Sequence, residues 1–256
     1  MSATDNPRAR MLAGEALTGT FVQSRDPGQT EFLGRLGFDL LCVEGEHSAM
    51  GVETVQSLVA AAALAPAPAL VRVAGNEPIA IAAALDAGAA GVIVPRVDDA
   101  AGAAAAVAAT RYPPTGERGL GPSRATGFGA DIPAYLKRAD DDLLLAIQVE
   151  TGAAVAALDS LLEVDGVDLI FVGPGDLGCS LGIDDPTSPE LRGIVESILV
   201  RSRERGLLAG VWAANTADAA RWRDAGAQLV ILGSDLIWLA RGVTAALAPD
   251  RGGNPG

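Results

Sequence analysis

Glu150 and Asp176 each follow an apolar, β-prone run. Glu150 lies in Gln148-Val149-Glu150-Thr151 after Leu143-Leu144-Leu145-Ala146-Ile147, and Asp176 lies in Gly173-Pro174-Gly175-Asp176-Leu177 after Leu169-Ile170-Phe171-Val172. Residues 153–163, between the runs, are alanine-rich with helical apolar spacing, so the stretch reads as strand, helix, strand. Two such strands in one sheet are parallel, with their ends on the same side. Carboxylates at neighbouring strand ends suit a hard divalent cation such as Mg²⁺ or Mn²⁺, with positions left for water and substrate. Each acid alone would read more simply as a helix cap. Together, after Gln148 and inside Gly-Pro-Gly-Asp, they favour the metal. Gly175 permits close backbone approach, and the amides at a helix start can hold a carboxylate. An ordinary strand-to-helix turn explains the same residues, and spacing alone leaves both uses open.

His47 stands in Glu44-Gly45-Glu46-His47 after another apolar run. A nearby carboxylate can orient the imidazole and hold one tautomer, which makes a general base near neutral pH. A solvated loop histidine is the plainer alternative, but the position after a strand, facing the acids, favours the base. Arg72, in Leu70-Val71-Arg72-Val73, is costly in an apolar strand unless it meets a polar pocket or an anion. It could stabilise a developing oxyanion or serve as a salt bridge inside the fold. Ser234 and Asp235 also follow a strand. Trp212 ends another, as a pocket wall or as core. Cys42, Phe21 and Trp238 read as core; Cys179 fits either surface or core.

Eight strand–helix units position these residues. The strands are predicted at residues 16–23, 39–43, 69–73, 91–95, 143–147, 169–172, 207–212 and 229–232. The helices are predicted at 30–36, 53–64, 79–87, 98–111, 153–163, 189–205, 216–225 and 236–247. Near-continuous apolar strands and glycine stops after helices are what a buried parallel sheet under helices requires. Eight units favour a closed (β/α)8 barrel over an open sheet, as one domain over residues 1–256. All the polar residues above then fall at the carboxyl ends of strands, the face where such barrels do chemistry. One segment, residues 112–142, breaks the rhythm and carries Arg118 and Arg124. A connection this long usually has a task. It starts at the bottom of its own barrel, so it could reach a neighbouring subunit's site more easily than its own.

Composition narrows the function. The net charge of -13 disfavours nucleic acid and anionic membranes as partners. No apolar signal region stands near the start, and the longest apolar stretch, residues 58–71, is broken by Pro66 and Pro68. Two cysteines fit no zinc spacing, and a cytoplasmic protein with reduced thiols is expected. Lys137 is the only lysine and lies in a polar context, so a Schiff base, which needs a desolvated or cation-flanked amine, is not expected. His47 is the only histidine, which excludes a three-histidine zinc site.

Several blocks together, in order, carry a resemblance: residues 38–47, Val71-Arg72-Val73, Leu85-Asp86-Ala87-Gly88-Ala89, Val94-Pro95, residues 111–119, and the two blocks around Glu150 and Asp176. The chain resembles the HpcH/HpaI aldolases, metal-dependent class II pyruvate aldolases acting on 4-hydroxy-2-oxo acids, over residues 17–245. The resemblance implies Glu150 and Asp176 as metal ligands for Mg²⁺, Mn²⁺ or Co²⁺ and His47 as base. It implies Arg72 at the keto oxygen and the Gly175 and Asp176 amides under the pyruvate carboxylate. Gln148 would line the metal site, and Arg124 would bear on acceptor selection. It further implies a trimer of dimers. Two departures stand out. Glu44 replaces the aspartate that usually pairs with the histidine, and Trp212 is bulkier than the aliphatic residue expected there. The expectation is therefore reversible retro-aldol cleavage to pyruvate or hydroxypyruvate and an aldehyde through a metal-stabilised enolate, with His47 oriented by Glu44. Alternatives are a lyase of the citryl- or malyl-CoA kind, for which no nucleotide-binding cluster is evident, and a non-catalytic barrel that binds a 2-oxo acid.

Overall fold

The computed structural model describes residues 6–251, without the side chains of 249–251. The glycine- and proline-rich end beyond Arg251 lies outside the described residues. Eight parallel strands close into a barrel in sequence order. They are β1 (Leu17–Val22), β2 (Leu40–Glu44), β3 (Ala69–Arg72), β4 (Gly91–Val94), β5 (Leu144–Val149), β6 (Leu169–Val172), β7 (Leu208–Ala213) and β8 (Leu229–Ser234). Nearly every strand residue is buried, because helices cover the outside and side chains fill the inside.

Period-two alternation sorts the strand residues. Leu40 and Cys42 of β2, Leu70 of β3, Leu144 and Ala146 of β5, and Leu169 and Phe171 of β6 form the inner cluster. Their neighbours in sequence, such as Leu41, Val43, Val71, Leu145 and Ile147, pack outward under the helices. Continued upward by two, the inward positions of β2, β3 and β5 become Glu44, Arg72 and Gln148. The barrel interior thus ends in a polar layer at the carboxyl edge. Register sets who meets whom there: Glu44 lies opposite Arg72, and Gln148 opposite Phe171.

The covering helices from α2 (Pro27–Gly34) to α5 (Ala100–Thr110) include α3 (Val52–Ala62) and α4 (Pro78–Asp86). Several elements go beyond the sequence expectation. A short helix α1 (Pro7–Leu12), capped by Asn6, inserts Met11 into the inner cluster and closes the bottom. Residues 112–142 fold into a 3-10 turn and two short helices, α6 (Ile132–Leu136) and α7 (Ala139–Asp142). They are held by Arg118, which lies between the Tyr112 and Tyr135 rings and donates to Asp86 at 2.7 Å. After β5 come α8 (Gly152–Ala156) and α9 (Leu158–Leu161). After β6 the chain enters α10 (Pro174–Leu181) at once, where spacing alone left a helix start and a plain turn both open, and only then α11 (Pro189–Glu204). Helices α12 (Thr216–Asp224) and α13 (Asp235–Arg251) follow β7 and β8.

Candidate active site

Arg72 is the centre of the polar layer. Its Nε donates to Glu44 Oε2 at 2.8 Å, and its Nη2 donates to the same oxygen. The guanidinium lies 4.5 Å from the centroid of the Phe21 ring. Nη1 stands 3.4 Å from Glu46 Oε2. Burial works against the Arg72 charge, but Glu44, and then Glu46, hold its pKa above the ordinary value. A guanidinium has five N–H donors; two go to Glu44 and one faces Glu46, so two remain for a ligand.

The other Glu44 oxygen, Oε1, accepts the backbone N–H groups of Glu46 at 2.7 Å and His47 at 3.0 Å. Both oxygens are therefore engaged, and neither contacts the imidazole. This corrects the expectation that Glu44 orients His47. The physical reason is the register, which places Glu44 directly against Arg72. The carboxylate nearest the His47 ring is Glu46, with Oε2 3.8 Å from Nε2. Burial first, opposed by Arg72 and reinforced by the Glu150 charge, raises the Glu46 pKa.

Glu150 follows β5 and is buried. Its Oε1 accepts the Arg96 N–H at 2.8 Å, and its Oε2 accepts from Gln148 Nε2. Arg96 takes a positive φ of 54° to deliver that N–H, strain of the kind concentrated at sites. Gly173 leaves the acid room: a Cβ there would stand 3.0 Å from Gln148 Nε2 and 3.3 Å from Glu150 Oε2. Desolvation raises the Glu150 pKa, Gln148 and Arg96 oppose it, and the nearby Asp176 charge adds to it. Asp176 occupies the first turn of α10. Gln148 Oε1 is buried with no hydrogen-bond partner. Among the described residues no group of three or more His, Cys, Asp and Glu side chains could hold a metal ion. The oxygen donors at this edge are the Glu150 and Asp176 carboxylates, near enough for one charge to act on the other, and the orphaned Gln148 amide oxygen. Oxygen donors of this kind suit a hard divalent cation that keeps water or substrate in its remaining positions.

The start of α10 adds a second kind of donor. Gly173 is its N-cap without a side-chain cap, Pro174 has no N–H, and Leu177 makes the first helical bond, to Gly173 O. The amides of Gly175 and Asp176 therefore lack helical acceptors. They border a cavity of about 200 Å³ lined also by Phe21, Glu44, His47, Arg72, Trp212 and Ser234. Trp212 forms its wall while packing on the inner cluster. A second cavity of about 100 Å³, beneath the β2–α3 loop, is lined by Met50, Val55, Val73 and Ala84 and gathers few polar groups.

Other candidates fall elsewhere. Asp235 accepts the Gln23 and Ser24 amides and fixes the β1–α2 loop. Arg124 packs its side chain on Gly88, just before β4, at the opposite end of the barrel. It does not line this chain's own cavity. Lys137 is exposed beside α6. Sequence reasoning put Glu46 at the carboxyl end of a strand without giving it a separate role, and left Phe21 as core. The Glu-Gly-Glu-His spacing and the inward alternation of β1 were the available signals.

The family model for HpcH/HpaI aldolase/citrate lyase matches residues 17–241. The chain is 39% identical over 241 residues to a 4-hydroxy-2-oxo-heptane-1,7-dioate aldolase of Salmonella typhi, covering 93% of this chain and 91% of that one. It superposes with a TM-score of 0.90 on the crystal structure of an HpcH/HpaI aldolase/citrate lyase family protein from Burkholderia cenocepacia J2315, at 34% identity over 95% of this chain and 98% of that one. The crystal structure of citrate synthase SbnG gives a TM-score of 0.87 at 29% identity, over 96% of this chain and 98% of the other. With the barrel, the acid pair and the match over nearly the whole chain in agreement, this protein is a member of the HpcH/HpaI aldolase/citrate lyase family.

Proposed function

We propose that the protein is a divalent-metal-dependent aldolase that reversibly cleaves 4-hydroxy-2-oxo acids to pyruvate, or hydroxypyruvate, and an aldehyde. The observation that carries this reading is one cavity lined by an arginine with spare donors, a histidine and the helix-start residues Gly175 and Asp176, with buried Glu150 close enough for the Asp176 charge to act on it. Glu150, Asp176 and Gln148 Oε1 would hold Mg²⁺, Mn²⁺ or Co²⁺, and the ion would supply Lewis-acid polarisation of the substrate's keto oxygen. The Gly175 and Asp176 amides bind the 2-oxo acid's carboxylate at the positive end of α10. The free Arg72 N–H groups face the keto oxygen, where negative charge develops as the C3–C4 bond breaks. His47 takes the proton of the C4 hydroxyl, the aldehyde leaves, and the bond's electron pair forms the enolate. His47 then returns a proton to C3. Trp212 bounds the space available to the acceptor.

Chelation by EDTA should abolish cleavage, and Mg²⁺, Mn²⁺ or Co²⁺ should restore it; full turnover in chelator overturns the metal reading. Treatment with borohydride and pyruvate should leave activity intact. The likeness to a citrate synthase supports a second reading, in which bond formation is the working direction; a panel of aldehydes and keto acids as acceptors separates the two. The reading extends to a cytoplasmic enzyme with small-molecule partners. It is supported by the charge of -13 and, among the described residues, by the lack of a helix long and apolar enough to cross a membrane. It extends also to a trimer of dimers in which Arg124 serves a neighbour. Exposed Leu236, Leu239, Val243 and Leu247 on α13 support self-association, which sedimentation tests.

A further inference from the structure

We infer that Glu46, and not Glu44, is the positioning residue for His47: it accepts the Nε2 proton of the imidazole and so leaves Nδ1 as the atom that moves protons. The inference rests on the aldolase reading of the same cavity. Three observations carry it.

First, Glu44 has nothing left to give. Oε2 receives two donors from Arg72, and Oε1 receives the amides of Glu46 and His47. Second, Glu46 Oε2 is buried and has no hydrogen-bond partner among the described residues. A buried acceptor left unsatisfied is costly, so a donor within reach is expected to close on it. Two candidates face it, Arg72 Nη1 at 3.4 Å and His47 Nε2 at 3.8 Å. Arg72 is pinned by Glu44 and the Phe21 ring, whereas the His47 side chain is 57% exposed and free to turn. A ring rotation of roughly 1 Å at Nε2 brings it to hydrogen-bond distance. Third, the backbone that carries both side chains is fixed, so only the ring has to move. Gly45 N donates to Arg72 O at 2.8 Å, and a Cβ on Gly45 would lie 2.6 Å from that oxygen. Only glycine lets the loop pass β3 this closely, and the turn then sets Glu46 and His47 beside Arg72. An acid that holds one ring nitrogen selects the tautomer in which the other carries the lone pair.

The chain has one histidine, so its imidazole ¹⁵N signals need no assignment. Long-range ¹H–¹⁵N spectra of the metal-free full chain, recorded where the ring is neutral, should show the Nε2–H tautomer predominating. In Glu46→Ala that preference should relax toward the mixture of free imidazole. In Glu44→Gln, where Glu46 is intact, it should persist. Glu46→Gln, which keeps the side chain's volume, should retain part of the preference and guards against a poorly folded alanine variant. With metal restored, exchange at pyruvate C3 should slow roughly 10–100-fold in Glu46→Ala, with the pyruvate KM changed much less. A wild-type ring without tautomer preference, or a preference that survives Glu46→Ala and is lost in Glu44→Gln, overturns the inference. Wild-type exchange in metal that fails while the tautomer preference stands overturns the aldolase reading instead.

Discussion

At the scale of single residues, the site is an arginine shared between two acids. Replacing Arg72 by alanine should lower turnover roughly 10²-fold or more, measured by retro-aldol kinetics, the loss expected on removing the proposed oxyanion donor. Glu44→Ala removes one partner of a buried ion pair and should cost about 3–5 kcal/mol, read as a lower Tm. Glu46 works in the other direction. Burial raises its pKa, Arg72 opposing and Glu150 adding. A carboxyl with a raised folded-state value takes up a proton on folding. Its ionisation therefore erodes stability as the pH climbs from the unfolded carboxylate range through the folded value, and costs nothing below that range. Metal-free Glu46→Gln should melt above wild type at alkaline pH, with the gap closing on acidification. Thermal melts across pH check this; a gap that widens toward acid contradicts it.

At the scale of elements, α10 and the loop before it decide how well the acids are held. Gly173→Ala would push a methyl against Gln148 and Glu150 and should weaken metal binding about 10–100-fold in calorimetry while the barrel still folds. The strands were legible in the sequence because a sheet buried on both faces writes itself as apolar runs. Residues 16–23 became Leu17–Val22, and 143–147 became Leu144–Val149. Only the start of helix α10 was visible as one of two options, and its length was not, because Gly175 and Gly178 are poor helix formers. Packing overrides that: Leu177 is fully buried, and a Cβ on Gly178 would sit 3.1 Å from Leu191. α1 was missed because six residues are too few to show a period. At the site, Arg72 and Glu150 could be found from their place at the ends of apolar runs. Which acid pairs with which base could not, since Glu44 meets Arg72 through β2–β3 register, a long-range fact.

For the whole molecule, the barrel separates holding from reacting. Arg118 at the bottom is buried against Tyr112 and Tyr135 and ties residues 112–142 to α4 through Asp86. Arg118→Ala should lower the Tm and leave proton exchange at pyruvate C3 little changed, because that exchange needs only the top of the barrel. Arg124→Ala should raise the KM of the acceptor aldehyde without slowing the same exchange, if a neighbour's cavity is where it acts. An equal loss in both reactions would argue against that assignment.

The single lysine has a practical consequence. Lys137 is exposed beside α6, at the end of the barrel away from the cavity mouth. Resins and dyes that react with primary amines have that side chain and the terminal amine as their targets. Enzyme tethered through Lys137 should present its mouth to the medium and keep its turnover on a support.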